Sequence, residues 1–216
     1  MILAQSQFEN IYWSTGKKYI AGIDEVGRGC WAGPAVVGAV VFPQNCKLNF
    51  LLADSKLISQ KKREELDTLI RQTATACFIA EVSLESINSD GVGNAIQQSF
   101  LTVTQSLPLQ PDFVLIDAFK IQNYPLHKQS NIIKGDQHSI SIAAASIIAK
   151  VYRDKKMKEL HQSESRFGFD VNKGYGTKLH RDAIAKHGLS IHHRTSFNLH
   201  KWIREITHEL ISVPSK

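Results

Sequence analysis

Apolar positions along this chain follow two rhythms, and each predicts its own kind of element. Residues 19–25 and 36–42 form short apolar runs bounded by glycine, proline and charge, which predicts two strands joined by residues 27–34. Residues 76–83, Phe113–Asp117 and 131–134 predict three more. Between them the period lengthens. Residues 59–73 place Leu66, Leu69 and Ile70 on one helical face behind Ser59, a capping residue, and residues 93–107 form a helix stopped by Pro108. Residues 139–161 predict a long helix, almost wholly apolar at first and basic later. Helices are also expected over 179–187 and 199–210, after a glycine-rich link at 167–176. Strands that pair early and alternate with helices later predict an α/β fold: a mixed sheet flanked by helices, with a helical C-terminal extension. Residues 1–160 are read as the main domain and 161–216 as a basic helical extension packed on it.

Composition adds little to that picture, and charge adds more. The 216 residues are 43% hydrophobic and 21% charged, enough for one core, and no apolar run approaches the length of a membrane span. The N-terminus has neither the basic start nor the sustained apolar stretch of a secretory signal. Three irregularly spaced cysteines fit neither a disulfide framework nor a zinc site, which points to a reduced, cytoplasmic setting. The net charge of +6 is unevenly spread. Residues 150–216 carry a net +7 and seven of the nine histidines, whereas residues 1–149 carry a net −1. A solvated helical surface and a footprint for a polyanion account for that excess equally well.

Four carboxylates interrupt the apolar pattern. Asp24 and Glu25 end the first strand, Asp117 ends "FVLID", and Asp136 follows "NIIKG". Ends of neighbouring strands lie close together, so these acids are expected to converge. Like charges at such separations repel unless a proton or cation intervenes. An all-oxygen ligand set suits Mg²⁺ or Mn²⁺. Consecutive strand residues point to opposite faces, so Asp24 and Glu25 share a site only if a bulge at the following glycines turns Glu25 back.

Two loops carry further candidates. In "GRGCWAG", Gly27 and Gly29 let backbone N–H groups approach a ligand while Arg28 grips a phosphate, although the spacing is neither a P-loop nor a dinucleotide fingerprint. In "NKGYGTKLH", Tyr175 stands between glycines with Lys173 and Lys178 nearby, an arrangement suited to stacking on a sugar or base. A tyrosine packed into a tight turn is the plainer account of Tyr175 taken alone. Trp31 and the run from Ala143 to Ala149 read as packing, and His192–Arg194 as a structural or substrate-flanking turn.

Taken in order, "AGIDEVGRGCWAGP", "LIDA", "KGDQHSISIAAASIIAKVYRD", "GYGT" and "HHRTSF" resemble bacterial ribonuclease HII, the type 2 ribonuclease H, from about residue 19 to residue 197. The resemblance implies an RNase H-like fold with a five-stranded sheet. It implies Asp24, Glu25, Asp117 and Asp136 as the catalytic, metal-binding tetrad, with two Mn²⁺ or Mg²⁺ ions. It also implies cleavage of RNA–DNA hybrids, and incision 5′ to single ribonucleotides in duplex DNA that leaves 3′-hydroxyl and 5′-phosphate ends. Gly27, Arg28 and Gly29 match the family's reader of the ribose 2′-hydroxyl, and Tyr175 the tyrosine that packs on the sugar. Lys150, Arg153 and Lys155 are expected to hold the flanking duplex. The resemblance also implies a monomer, and it brings in a replication clamp as a partner with no residue here to carry the contact.

Two positions depart from the usual motif. His138 replaces a lysine two residues after Asp136, and Ala118 replaces a glycine after Asp117. Neither is a metal ligand. The competing readings are a non-catalytic hybrid-binding module, a DNA-specific nuclease of similar fold and, more distantly, a glycosidase using paired acids without metal.

Overall fold

The structure, a computed structural model, describes residues 2–199. Its centre is one sheet of strands β1 (Ile20–Val26), β2 (Ala35–Val41), β3 (Ala76–Val82), β4 (Phe113–Asp117) and β5 (Gln129–Ile132), in the order β3-β2-β1-β4-β5. β1 pairs antiparallel with β2 and parallel with β4, and β2–β3 is antiparallel and β4–β5 parallel. The β1–β2 hairpin, the return of the chain through α2 to β3 and the later crossovers produce this mixed sheet. The helices are α1 (Gln7–Trp13), α2 (Gln60–Thr73), α3 (Leu84–Asp90), α4 (Val92–Ser106), α5 (Gly135–His138), α6 (Ile140–Ser163), α7 (Phe169–Asn172) and α8 (Lys178–His187).

Both faces of the sheet are covered, so β2 reads as a continuous apolar run, AVVGAVV, buried throughout. Alternation divides the core. Ala21, Ile23, Val37, Ala39, Val114 and Ile116 pack toward Ile96, Phe100 and Val103 of α4. Val40 meets Ala143, Ala144 and Ile147 of α6, with Leu66 and Ile70 of α2 behind them. Leu115 meets Ile142 of α6. The small residues of α6 allow it to lie almost on the sheet. A Cβ on Gly22 would stand 2.2 Å from the Ser141 carbonyl carbon, and one on Gly38 would stand 2.6 Å from the Ala145 oxygen.

α6 starts on a double cap. Ser139 accepts from the Ile142 N–H at 3.2 Å, and buried Glu9 of α1 accepts from Ser139 Oγ, Ser141 N and Ser141 Oγ. α6 also continues through residue 160. Met157 and Leu160 join Phe167, Phe169 and Ile184 in a small core that closes on Ala32 of the β1–β2 loop.

The predicted strands and long helices lie within one or two residues of their expected places. The strand expected at 131–134 is β5, shifted to 129–132, because buried Gln129 bonds Ile121 and Tyr124 with its amide and extends the strand backwards. The expected helix over 199–210 lies outside the described residues. No helix among the described residues is long and apolar enough to cross a membrane.

Candidate active site

The carboxyl ends of β1 and β4 open into a cavity of about 210 Å³. By alternation Asp24 lies on the α6 face of β1, two residues beyond Gly22, and Asp117 lies on the same face of β4. Both line the cavity, as does Glu25. The expected bulge is absent: β1 keeps its register with β2 through Glu25↔Val37 and Val26↔Val36. Glu25 reaches the same opening from the strand's end, because the β1–β4 pairing stops at Ile23↔Ile116.

Asp136 sits apart, buried in α5, and does not line the cavity. It is tied in through its neighbour, since Gly135 N–H donates to Asp117 Oδ1 at 2.7 Å.

The electrostatics are those of uncompensated acids. Burial, and then the charges of Glu25 and Asp117, hold the Asp24 carboxyl well above the usual range. Burial raises Glu25 to about 7 against the opposing pull of Arg28, whose Nη1 stands 3.7 Å from Oε1. Glu25 Oε2 is buried without a partner. Burial, then Asp54 and Asp117, raise Asp136.

A hard divalent cation fits this donor set, which offers carboxylate oxygens with excess negative charge and one orphaned buried atom. The side chains do not form a closed cage, and among the described residues no group of three His, Cys, Asp or Glu would hold a metal ion as it stands. Mutual repulsion and local donors explain the spread. Asp24 Oδ1 accepts from the Glu25 N–H, Asp117 from Gly135, and Glu25 turns to Arg28.

The loop residues meet the acids at the cavity wall. Gly27, Arg28, Gly29, Lys150 and Tyr175 all line it. Gly27 has φ +89°, and its missing Cβ is where Arg153 Nε lies, so this glycine is fixed by packing as well as by conformation. Gly29 has open space where a Cβ would go. The half-exposed guanidinium of Arg28 lies 4.3 Å from the Phe119 ring centroid. Tyr175 is 38% exposed, and burial followed by Cys30 raises its hydroxyl to about 12, so it stays protonated. Lys150 is largely enclosed and donates to Asp154 at 2.6 Å.

Ser55, Lys56 and Ser146 also line the cavity and were not anticipated from the sequence. Ser146 hydrogen-bonds Asp24 and stands 3.0 Å from Ser55 Oγ. The signal for Lys56 was the turn at 54–57, where Asp54 accepts from the Lys56 N–H. Next to the cavity runs a groove of about 570 Å³ lined by Lys56, Arg63, Lys150, Lys173, Asp154 and Tyr175.

Arg153 corrects an expectation. It is fully buried and donates to the carbonyls of Pro34, Lys173 and Ala32, so it holds loops and cannot reach a duplex. Arg194 is buried likewise, on the carbonyls of Gly33 and Arg28. His193 is buried against His180, which makes the 192–194 turn structural.

Residues 21–203 match the family described as Ribonuclease HII. The chain is 46% identical over 195 residues to ribonuclease HII of Bacillus cereus (strain Q1), covering 90% of this chain and 75% of that one. It is 44% identical over 194 residues to ribonuclease HII of Herpetosiphon aurantiacus, covering 88% and 93%. The crystal structure of ribonuclease H2 from Pyrococcus horikoshii OT3 superimposes with a TM-score of 0.71 at 22% identity, over 88% of this chain and 99% of that one, and so shares its fold. With this likeness running through the strand ends and both loops, the chain belongs to the ribonuclease HII family, metal-dependent endoribonucleases that act on RNA–DNA hybrids.

Proposed function

We propose that this chain cuts the RNA strand of RNA–DNA hybrids and also incises duplex DNA 5′ to a single embedded ribonucleotide, leaving a 3′-hydroxyl and a 5′-phosphate. One observation carries the reading: carboxylates from β1, β4 and α5 gather in and behind one sheet end beside a basic groove, with Asp24 and Asp136 buried and raised by burial and by neighbouring acids. Two divalent ions, Mg²⁺ or Mn²⁺, held by Asp24, Glu25, Asp117 and Asp136, would supply Lewis-acid activation of the attacking water and the leaving oxygen.

The chain's own groups supply the rest. The 27–29 backbone, unobstructed at Gly29, donates to the ribose 2′-hydroxyl. A site built to hydrogen-bond that hydroxyl rejects deoxyribose, because its polar groups are left unpaired. The Tyr175 ring offers a face to the sugar, and Arg28, Lys56 and Lys150 counter phosphate charge. Asp136, set back from the cavity, orients the water and takes up its proton. Lys155 and Lys158, which line the outer pocket beyond Arg63, extend the basic surface for the flanking duplex. Its three free cysteines suit a cytoplasmic setting.

The test is a DNA duplex carrying one ribonucleotide, end-labelled and incubated with Mg²⁺ or Mn²⁺, beside an RNA–DNA hybrid, an all-DNA duplex and the Asp117→Asn protein. Metal-dependent incision 5′ to the ribonucleotide, absent from the all-DNA duplex and the variant, is the expected result. Cleavage of all-DNA would overturn the sugar reading, and binding without incision would leave a hybrid-binding module.

A further inference from the structure

The loop that carries Tyr175 is fastened from behind by two buried histidines, and the donors and acceptors of that chain are fixed at both ends. Ser190 N–H, which only donates, lies 2.9 Å from His193 Nδ1, so Nδ1 is the acceptor and the proton is on Nε2. His193 Nε2 stands 3.1 Å from His180 Nε2, which therefore accepts. His180 then carries its proton on Nδ1 and donates to the Tyr175 carbonyl at 2.9 Å, an atom that only accepts. The chain runs one way, from Ser190 through His193 and His180 to Tyr175. Both imidazoles are fully buried, with Phe167 edge-on to His193 and Phe169 edge-on to His180.

The same carbonyl also accepts from Thr177 N–H, and Gly176 rests against Trp31, where a Cβ would come within 2.5 Å of the ring. Moving the Tyr175 carbonyl therefore moves the 174–177 loop against the β1–β2 loop.

We infer that the oriented His193–His180 chain positions Tyr175 for substrate: it fixes the Tyr175 carbonyl, and with it the ring presented at the acidic cavity, while neither histidine touches substrate. The inference rests on the reading of Tyr175 as a substrate contact. An added proton disrupts the chain: on His180 Nε2 it would face the His193 Nε2–H, and on His193 Nδ1 it would turn to Ser190 Oγ, 2.9 Å away, and displace the Ser190 N–H. Charging either imidazole breaks a link. Burial lowers His180, and burial together with His180 lowers His193 to about 4, which keeps the chain intact at neutral pH. The other ionisable groups facing the pair are Glu164, from the turn after α6, and His192. His187 of α8 lies across the Phe167 ring.

Two measurements test this. Nitrogen-15 NMR of histidine-labelled protein at pH 7 is expected to place protons on His180 Nδ1 and His193 Nε2, and the opposite tautomers or a charged ring would overturn the chain. The affinity of a fluorescent RNA–DNA hybrid, measured by anisotropy in EDTA, reads positioning without cleavage. His180→Phe keeps a planar ring in the aromatic cage, somewhat larger than the imidazole, removes the bond to Tyr175 and is expected to weaken binding about tenfold. His180→Asn keeps an N–H donor at the Nδ1 position and is expected to stay within about twofold of the parent. In a Tyr175→Ala background, His180→Phe should add nothing further. Equal losses in both His180 variants, or a loss that persists without the tyrosine ring, would make the pair merely structural. A parent protein that binds hybrid without cutting it sinks the cleavage reading and leaves this test intact.

Discussion

Replacing Gly22 with alanine tests the contact that brings the cavity's two walls together. The new Cβ would meet Ser141 C at 2.2 Å, Ile142 N at 2.3 Å and Ser141 Cβ at 2.4 Å. Ordinary carbon contacts begin near 3.5 Å, so β1 and α6 must part by roughly 1.3 Å. The nearest obstructing atoms are backbone, and no rotamer change relieves them. Overpacking of this kind costs about 1–3 kcal/mol, and a backbone obstruction puts Gly22→Ala at the upper end. For a chain of this size that lowers Tm by roughly 6–12 °C. The displacement also reaches the site. Asp24 follows Gly22 by two residues, and Ser146 and Lys150 follow Ser141 on the same helix and line the same cavity. A misplacement near 1 Å costs on the order of 10²-fold in rate. Urea unfolding in EDTA and initial rates on an RNA–DNA hybrid read the two effects. A variant as stable and as active as the parent would show that helix and strand have slack here, and the account of the site as one tightly seated unit would be wrong.

Gly29→Ala is the matched control: its Cβ meets nothing within 4 Å, so unfolding should shift by less than about 0.5 kcal/mol. Cleavage at a single ribonucleotide should fall at least tenfold, and unchanged cleavage would remove Gly29 from the substrate face. Adding Mn²⁺ should raise the parent's Tm and leave that of Asp24→Asn nearly unmoved. Without metal, Asp24→Asn should melt higher than the parent, since it removes a buried charge opposed by Glu25 and Asp117. Equal Mn²⁺ shifts in both proteins would refute the ligand assignment. His193 gives the pH dependence. Its pKa falls from the usual imidazole value to about 4, so between those values the unfolded chain holds a proton that the fold does not. Acidification through that window should therefore cost the parent up to about 3 kcal/mol that His193→Gln escapes. Parallel urea midpoints for the two proteins from pH 7 to pH 4.5 would refute it.

The sheet was readable because its strands are short apolar runs with sharp ends, and the acids were readable because they break those runs. α3 was missed: LESINSD has little apolar periodicity, and the helix rests on the Ser83 cap and one buried residue, Ile87. Asp136 was expected at a strand end and lies in a short helix, because the chain leaves β5 through Lys134 at φ +55° before it turns back toward Asp117. Lys56 and Ser146 escaped because a lysine in a turn and a serine in an alanine-rich helix have commoner explanations. Only the folded arrangement brings either to Asp24.

Within the basic surplus after residue 150, Arg153 misled in a more instructive way. Irregular loops leave backbone carbonyls without sheet or helix partners, and a buried carbonyl needs a donor. Arg153 supplies Ala32, Pro34 and Lys173, and Arg194 supplies Arg28 and Gly33, so two charges that look like a polyanion footprint serve to brace the loops flanking the acids. Lys155 and Lys158, by contrast, are exposed on the pocket beyond Arg63. The two roles separate in one experiment. Arg153→Lys keeps the charge and loses the planar fork that serves three acceptors, so it should destabilise by about 2–4 kcal/mol and lower activity through both loops. Lys155→Ala should leave stability within about 0.5 kcal/mol and make hybrid binding less steeply salt-dependent. If Arg153→Lys changed the salt slope and left stability alone, its guanidinium would be reaching phosphate, and the bracing role would fail.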